Sequence, residues 1–189
     1  MKHPVTAACV LLLAAPVWLS AAPRAIDTEK SSMTIRVYKT GLFSAFGHDH
    51  EIQAPITEGN FSEENPAVEL KVDARLLRVL DKDVSNEDRA KVQETMLGPQ
   101  VLDSQKFPGI SFKSTRVDRL GDGRWIVHGT LTLHGIARAV DVQVEGQSGH
   151  YRGWAKLKQK DFGMTPVSVA GGTVKVKDEV RIEFDVVAK

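Results

Sequence analysis

The stretch VRIEFDV at residues 180–186 decides the fold class of this 189-residue chain. Its apolar residues fall on the even positions from 180 to 186, and its charged residues fall on positions 181, 183 and 185. Because successive side chains of an extended strand point to opposite faces, this alternation predicts a strand with one buried face and one hydrated face. Such strands are typical of antiparallel sheets.

The same alternation recurs along most of the chain, as in VELKVDA at residues 68–74 and AVDVQVEG at residues 139–146. Turn signals separate the runs, in LGDGRW at residues 120–125, HGIAR at 134–138 and GQSG at 146–149. About eight strands with no internal repeat and no linker predict one all-β domain built from a single antiparallel sheet. Such a sheet loses its edges most simply by closing into a barrel, whose interior is either filled by its own side chains or holds one small ligand.

One segment, SNEDRAKVQETMLG at residues 85–98, breaks the alternation and predicts a single short inserted α-helix. Ser85 is a suitable N-cap, and Gly98 followed by proline ends the segment. Val92 and Met96 are four residues apart, so they share one face of the helix. We expect this helix to cover an open end or an uncovered edge of the curled sheet.

The first 22 residues predict a secretory signal peptide, because Lys2 precedes an apolar stretch at residues 5–19 and small residues at 20–22. Cys9, the one cysteine of the chain, lies inside this segment. The 24 acidic and 25 basic residues nearly balance, so no charge pattern favours nucleic acid. We therefore expect a periplasmic or secreted protein that, after signal cleavage, is not an integral membrane protein.

The stretch FSAFGHDHE at residues 43–51 holds the side chains with the most evident chemistry. His48 and His50 share a face of an extended strand and could bind zinc or copper if a third ligand came from elsewhere. The alternative is a polar rim at the end of a strand. The chain has no G-x-S-x-G, G-x-G-x-x-G or P-loop motif and no cysteine nucleophile in its mature part, which favours a protein that is not an enzyme and needs no cofactor.

Several motifs in a fixed order resemble the YceI-like family of exported lipid-binding proteins. They are QVLDSQKFPGISFKST at residues 100–115, GDGRWIVHGTLTLHGIARAVDVQVEG at 121–146 and KDFGM at 160–164. The segments IDTEKSSMTIRV and VKVKDEVRIEFDV near the two ends also fit. The resemblance covers residues 26–187 and predicts one YceI-like domain over residues 26–189.

This resemblance implies a periplasmic, lipocalin-like antiparallel β-barrel with one helix, in which an elongated apolar cavity binds a polyisoprenoid, a quinone-like molecule or another fatty amphiphile. The partner expected is thus a lipid-like ligand, with a homodimer as a further option. A cavity of ~300 to 1,000 Å³ is typical of ligand pockets and would favour this function over a filled interior. The residues expected to line the cavity are Val68, Leu70, Val72, Ile110, Phe112, Leu131, Leu133, Val140, Val142, Ile182 and Phe184, together with the aromatic or thioether residues Phe43, Phe46, Met96, Trp125, Trp154, Phe162 and Met164.

Overall fold

The computed structural model describes residues 22–40, 49–169 and 174–189, so the predicted signal peptide lies almost entirely outside the described residues. The strands are β1 (Arg24–Ala25), β2 (Ser32–Thr40), β3 (His50–Gln53), β4 (Ile56–Ser62), β5 (Ala67–Asp73), β6 (Arg78–Val79), β7 (Gly109–Gly121), β8 (Arg124–Leu133), β9 (Ile136–Gln147), β10 (His150–Lys158), β11 (Ser168–Val169) and β12 (Val174–Val187). The helix α1 spans Asn86–Leu97, and short 3₁₀ turns span Ala74–Leu76 and Gln159–Phe162.

All twelve strands belong to one curled antiparallel sheet that forms a half-barrel. Eleven of them follow the order β1-β4-β5-β7-β8-β9-β10-β12-β2-β3-β6, and β11 pairs with β12 beside this path. The prediction of an all-β domain with one antiparallel sheet is confirmed, but the strand count differs. Three of the twelve strands have only two residues, which is too short for an alternating pattern to reveal them.

Three two-residue turns build the central meander from β7 to β10. Asp122 and Gly123, His134 and Gly135, and Ser148 and Gly149 all have positive φ angles, between 51° and 83°. Positive φ at both central residues defines the type I′ turn, whose twist matches that of the flanking strands. The turn signals predicted from the sequence therefore fix the register of four consecutive strands.

The segment that contains β3 and β4 joins the two ends of the strand order. β3 pairs with β2, whereas β4 pairs with β5, and only Ala54 and Pro55 separate the two strands. Near the two ends of the described chain, Ile26 forms an antiparallel bridge with Ala188. The sheet therefore curls until its two sides are connected through β3 and β4.

The helix α1 forms where the sequence predicts it, and it covers one edge of the sheet. The Ser85 hydroxyl oxygen accepts a hydrogen bond from the Asp88 backbone N–H at 3.0 Å, as an N-cap does. The Gln93 side chain accepts from the Val79 N–H and donates to the Leu77 carbonyl, both at 2.8 Å. This amide thus occupies backbone hydrogen-bonding groups along β6, the last strand of the path, so the expectation of a helix covering an edge is confirmed.

Met96 of α1 is buried in the main apolar cluster, which also contains Phe162 and Met164 from the segment after β10. Leu131 and Leu157 belong to the same cluster and carry it onto the walls of the sheet. No helix among the described residues has the length and apolar character needed to cross a bilayer.

Candidate functional site

A cavity of about 270 Å³ lies inside the curled sheet, just below the ~300 to 1,000 Å³ expected for a ligand pocket. Eight strands and the β4–β5 turn contribute side chains to its wall, and nearly all of these are apolar. Among the described residues of the wall, Glu63 is the one carboxylate, and none is Lys, Arg or His. The arrangement can therefore shield a long apolar molecule from water and offers a charge at one place.

The cavity is elongated along the strands. On β8 its wall extends from Trp125 to Leu133, which are eight residues apart. At ~3.3 Å per residue this is about 26 Å measured along the strand. Several inward residues of the wall, such as Val140 and Val142, are only partly buried although they face the interior. The interior is therefore hollow along much of this length.

The residues predicted from alternation do meet at this cavity. All eleven of them line it: Val68, Leu70, Val72, Ile110, Phe112, Leu131, Leu133, Val140, Val142, Ile182 and Phe184. They come from five strands whose inward positions follow period two, as the sequence pattern requires.

Of the residues predicted from their aromatic or thioether character, Trp125 lines the cavity, and four others are placed elsewhere. Met96, Phe162 and Met164 are buried in the apolar cluster but do not line the cavity. Trp154 has the opposite parity to the cavity residues Ala155 and Leu157, and its ring lies 4.3 Å from the guanidinium carbon of Arg181 on the outer face. The two remaining candidates, Phe43 and Phe46, lie outside the described residues.

Two inward glycines leave space for phenylalanine rings against the wall. A Cβ at Gly129 of β8 would overlap the ring of Phe112 and stand 2.7 Å from the Lys113 carbonyl oxygen. A Cβ at Gly153 of β10 would likewise stand 2.5 Å from the ring of Phe184. The missing side chains therefore let both rings approach the neighbouring strand closely.

The polar end of the cavity is formed by the β4–β5 turn and the first residues of β8 and β10. The Tyr151 hydroxyl donates a hydrogen bond of 2.7 Å to Glu63 Oε1. The Tyr151 ring contacts Phe61 and Trp125 edge-on, with centroids 5.3 and 5.5 Å away. Because the Glu63 side chain lines the cavity and is 41% exposed, the cavity reaches solvent here, and we call this end the mouth.

Burial, and next the hydrogen bond to Glu63, raise the pKa of Tyr151 to about 12. The phenol therefore keeps its proton at neutral pH and remains a donor. Arg24 Nη1 lies 3.7 Å from Glu63 Oε1, but Arg24 is not part of the cavity wall and its side chain is 44% exposed. Water thus screens this ion pair.

The histidine pair predicted as an alternative metal site falls only partly within the described residues, because His48 lies outside them. His50 begins β3, and its Nδ1 lies 2.6 Å from Oδ2 of the buried Asp81. Asp81 Oδ1 also accepts the Glu51 backbone N–H at 2.8 Å. In the part of the chain that the structure describes, no group of three or more His, Cys, Asp or Glu residues is arranged to hold a metal ion.

The sequence interpretation missed two groups of cavity residues. Met33 and Ile35 of β2, and Tyr151 of β10, follow the same alternation as their neighbours and could have been found from it. Glu63 had no such signal, because it lies in the EENP turn, where a solvated carboxylate is the usual state.

A curled antiparallel sheet around an apolar cavity defines a class of all-β proteins with a hollow interior. The family model for the YceI-like domain matches residues 25–188, and the chain therefore belongs to the YceI-like family. A UPF0312 protein of Shewanella oneidensis is 29% identical over 170 residues, which cover 80% of this chain and 82% of the relative. A UPF0312 protein of Vibrio parahaemolyticus is 25% identical over 191 residues, which cover 92% of each chain.

Two solved structures share the fold. BcnA of Burkholderia cenocepacia aligns with a TM-score of 0.64 at 21% identity, over 87% of this chain and 99% of BcnA. The YCEI protein of Campylobacter jejuni aligns with a TM-score of 0.53 at 13% identity, over 73% of this chain and 81% of that protein. At these identities the likeness concerns the fold alone.

Proposed function

We propose that this chain is an exported, non-enzymatic binding or carrier protein that holds a long apolar amphiphile inside a lipocalin-like barrel. The ligand class is a polyisoprenoid, a quinone-like molecule or another fatty lipid. The observation that carries the proposal is the hollow, elongated cavity of about 270 Å³ whose described wall is apolar except at the mouth. The shared segment of β3 and β4 supports closure of the sheet into the barrel.

Burial of a hydrocarbon chain supplies enough free energy for this function. Each methylene that leaves water contributes about 0.8 kcal/mol, so ten of them contribute about 8 kcal/mol. That corresponds to a dissociation constant of about 1 μM before the entropic costs of binding are subtracted. Few polar contacts are therefore needed, in agreement with a wall that offers few.

The export part of the proposal rests on the N-terminal sequence. Lys2, the apolar stretch at residues 5–19 and the small residues at 20–22 have the order that signal peptidases recognise. Expression of the full chain in a Gram-negative host, followed by mass measurement of periplasmic protein, tests it. Loss of about the first 22 residues supports export, whereas an uncleaved chain in the cytoplasm contradicts it.

Native mass spectrometry of protein purified without detergent tests the binding function. We expect a co-purifying lipid that is released under collisional activation and identified by its mass. A protein that carries no lipid and also fails to take up added geranylgeraniol or hexadecanol would refute the function.

A cavity-filling variant connects the bound lipid to the cavity. Val142 lines the cavity, so Val142→Phe should occupy space that the ligand needs and reduce lipid retention about tenfold or more. Ala139 on the same strand has the opposite parity and is exposed, so Ala139→Phe adds the same ring on the outer face. Equal lipid retention in the two variants would place the ligand outside the cavity.

A further inference from the structure

Glu63 gives the mouth of the cavity a negative charge, which the apolar wall lacks. It is the one carboxylate among the described residues that line the cavity, and the described wall contains no cationic side chain to pair with an anion. Because the exposed Glu63 marks an opening of the described wall to solvent, a ligand whose chain fills the cavity can place its head group at this mouth. The head group then meets a negative charge.

Tyr151 holds that charge in place. Its hydroxyl donates to Glu63 Oε1 at 2.7 Å, and its ring is fixed between Phe61 and Trp125. A carboxylate has two oxygens and about four lone-pair sites, so one donor from Tyr151 leaves capacity for a donor from a ligand. The pair is thus a positioned acceptor beside an apolar cavity.

We propose that Glu63, held by Tyr151, selects amphiphiles whose head group donates a hydrogen bond and carries no negative charge, such as a primary alcohol, a phenol or a primary amide. A carboxylate or phosphate head group would be repelled by Glu63 and would find no cationic partner on the described wall. Arg24 Nη1 lies 3.7 Å from Glu63 Oε1, the oxygen that accepts from Tyr151, and partly neutralises Glu63, but Arg24 does not line the cavity. This inference rests on the proposed binding function and specifies its ligand.

A competition between two ligands with the same chain tests the selection. Delipidated protein is mixed with equimolar geranylgeraniol and geranylgeranyl phosphate, and native mass spectrometry measures the ratio of the two complexes. Repulsion between like charges a few ångströms apart in partly hydrated surroundings changes an equilibrium constant about tenfold or more, so we expect the alcohol complex to dominate by at least that factor.

Three variants test whether the charge of Glu63 causes the preference for the alcohol over the phosphate. Glu63→Gln removes the charge and keeps the shape, and it should lower the ratio about fivefold or more by improving phosphate binding. Tyr151→Phe keeps the ring contacts and removes the donor, and it should lower the ratio by a smaller factor. Glu69→Gln is the matched control, since Glu69 pairs with Lys113 and does not line the cavity, and it should leave the ratio unchanged.

The possible results separate the two proposals. If both ligands bind but their ratio is near one in the wild type, or if Glu63→Gln does not change it, the selection by Glu63 is wrong and the binding function stands. Preferred phosphate binding that Arg24→Gln abolishes would assign the head group to Arg24 and overturn the inference. If neither ligand binds, both proposals fail together.

Discussion

At the scale of single residues, His128 lies on the outer face of the sheet with one carboxylate at each ring nitrogen. Its Nδ1 lies 2.6 Å from Asp141 Oδ1, and its Nε2 lies 3.1 Å from Asp118 Oδ2. The hydrogen bond to Asp141, and next the one to Asp118, raise the pKa of His128 above its ordinary value of 6.5, against the opposing effects of burial and then of the Arg116 charge. The three side chains connect β7, β8 and β9.

The raised pKa of His128 makes the stability of the fold depend on pH. Because the folded pKa exceeds the unfolded one, the stabilisation is fully present below pH 6.5 and is lost as the pH rises through the folded pKa. We expect the difference in urea midpoint between wild type and His128→Asn to be largest at about pH 6 and to shrink toward pH 9. Asp141→Asn should remove more of this dependence than Asp118→Asn, and the reverse order would contradict the assignment.

At the scale of elements, helix α1 and strand β6 are joined by the side-chain amide of Gln93. The Val79 N–H that donates to this amide belongs to a residue that is 5% exposed, so water cannot easily replace the lost partner. Gln93 thus supplies hydrogen bonds at β6 that a further strand would otherwise supply. The covered edge is also protected from pairing with another chain.

Removal of the Gln93 amide should therefore lower the free energy of unfolding more than a substitution of a helix residue usually does. Gln93→Ala leaves the buried Val79 N–H without its partner, while the Leu77 carbonyl still accepts from Arg78 Nη1 at 2.8 Å, and we expect a loss of about 1–3 kcal/mol in the free energy of unfolding. Gln93→Glu keeps the acceptor for Val79 and should lose less at neutral pH. As a control, Lys91→Ala removes only exposed pairs with Glu87 and Asp88 and should cost about 0.5 kcal/mol or less. Equal urea midpoints for Gln93→Ala and Lys91→Ala would refute the role of Gln93.

A second prediction at this scale concerns Gly129 of β8, which faces the interior of the sheet. Gly129→Ala forces its methyl group against the Phe112 ring and the Lys113 carbonyl, and overpacking of this kind costs about 1–3 kcal/mol. Gly109→Ala, at the start of β7, meets no atom within 4 Å and should be neutral or slightly stabilising. A chemical denaturation series compares the two variants. Phe112→Leu should relieve part of the loss caused by Gly129→Ala, and the absence of any relief would mean that the ring is not the obstacle.

Period-two alternation predicted the walls of the cavity and failed for its ends. It placed residues such as Leu70 and Ile182 correctly, because each strand of a one-sided sheet must alternate. Trp154 was chosen for its residue type against its parity, and the structure places it on the outer face. Met96 and Phe162 are apolar residues of the cluster beside the cavity, so their residue type alone could not distinguish them from residues of the wall. Glu63 lies in a turn, where no periodicity could assign it to the mouth.

At the scale of the whole molecule, the hollow interior means that the core is not filled by the protein's own side chains. Apolar cavities lower the free energy of unfolding, because the side chains that line them lose contacts that a filled core would provide. The cavity of about 270 Å³, with its apolar wall, is such a space. A ligand that fills it should therefore stabilise the protein as well as bind to it.

Lipid loading should raise the thermal stability measurably. At a free ligand concentration of about 100 times the dissociation constant, binding adds about 2.7 kcal/mol, which corresponds to several degrees in Tm for a domain of this size. We expect delipidated protein to melt lower than the same protein reloaded with geranylgeraniol, by calorimetry. Val142→Phe should show a smaller shift than Ala139→Phe. Identical melting of loaded and empty wild type would mean that the ligand does not distinguish the folded from the unfolded state.

The pairing of β2 with β12 also determines when the sheet can be completed. Arg36 on β2 reaches Glu183 on β12 across 147 positions of sequence, and the other partner of β2 is the four-residue strand β3. A contact of such high sequence separation requires closure of a very long loop, which slows folding. During synthesis β2 can pair with β3 early, but it can pair with β12 only after residues 174–187 have been made. The sheet therefore stays incomplete until late, which is the state that the export proposed above requires.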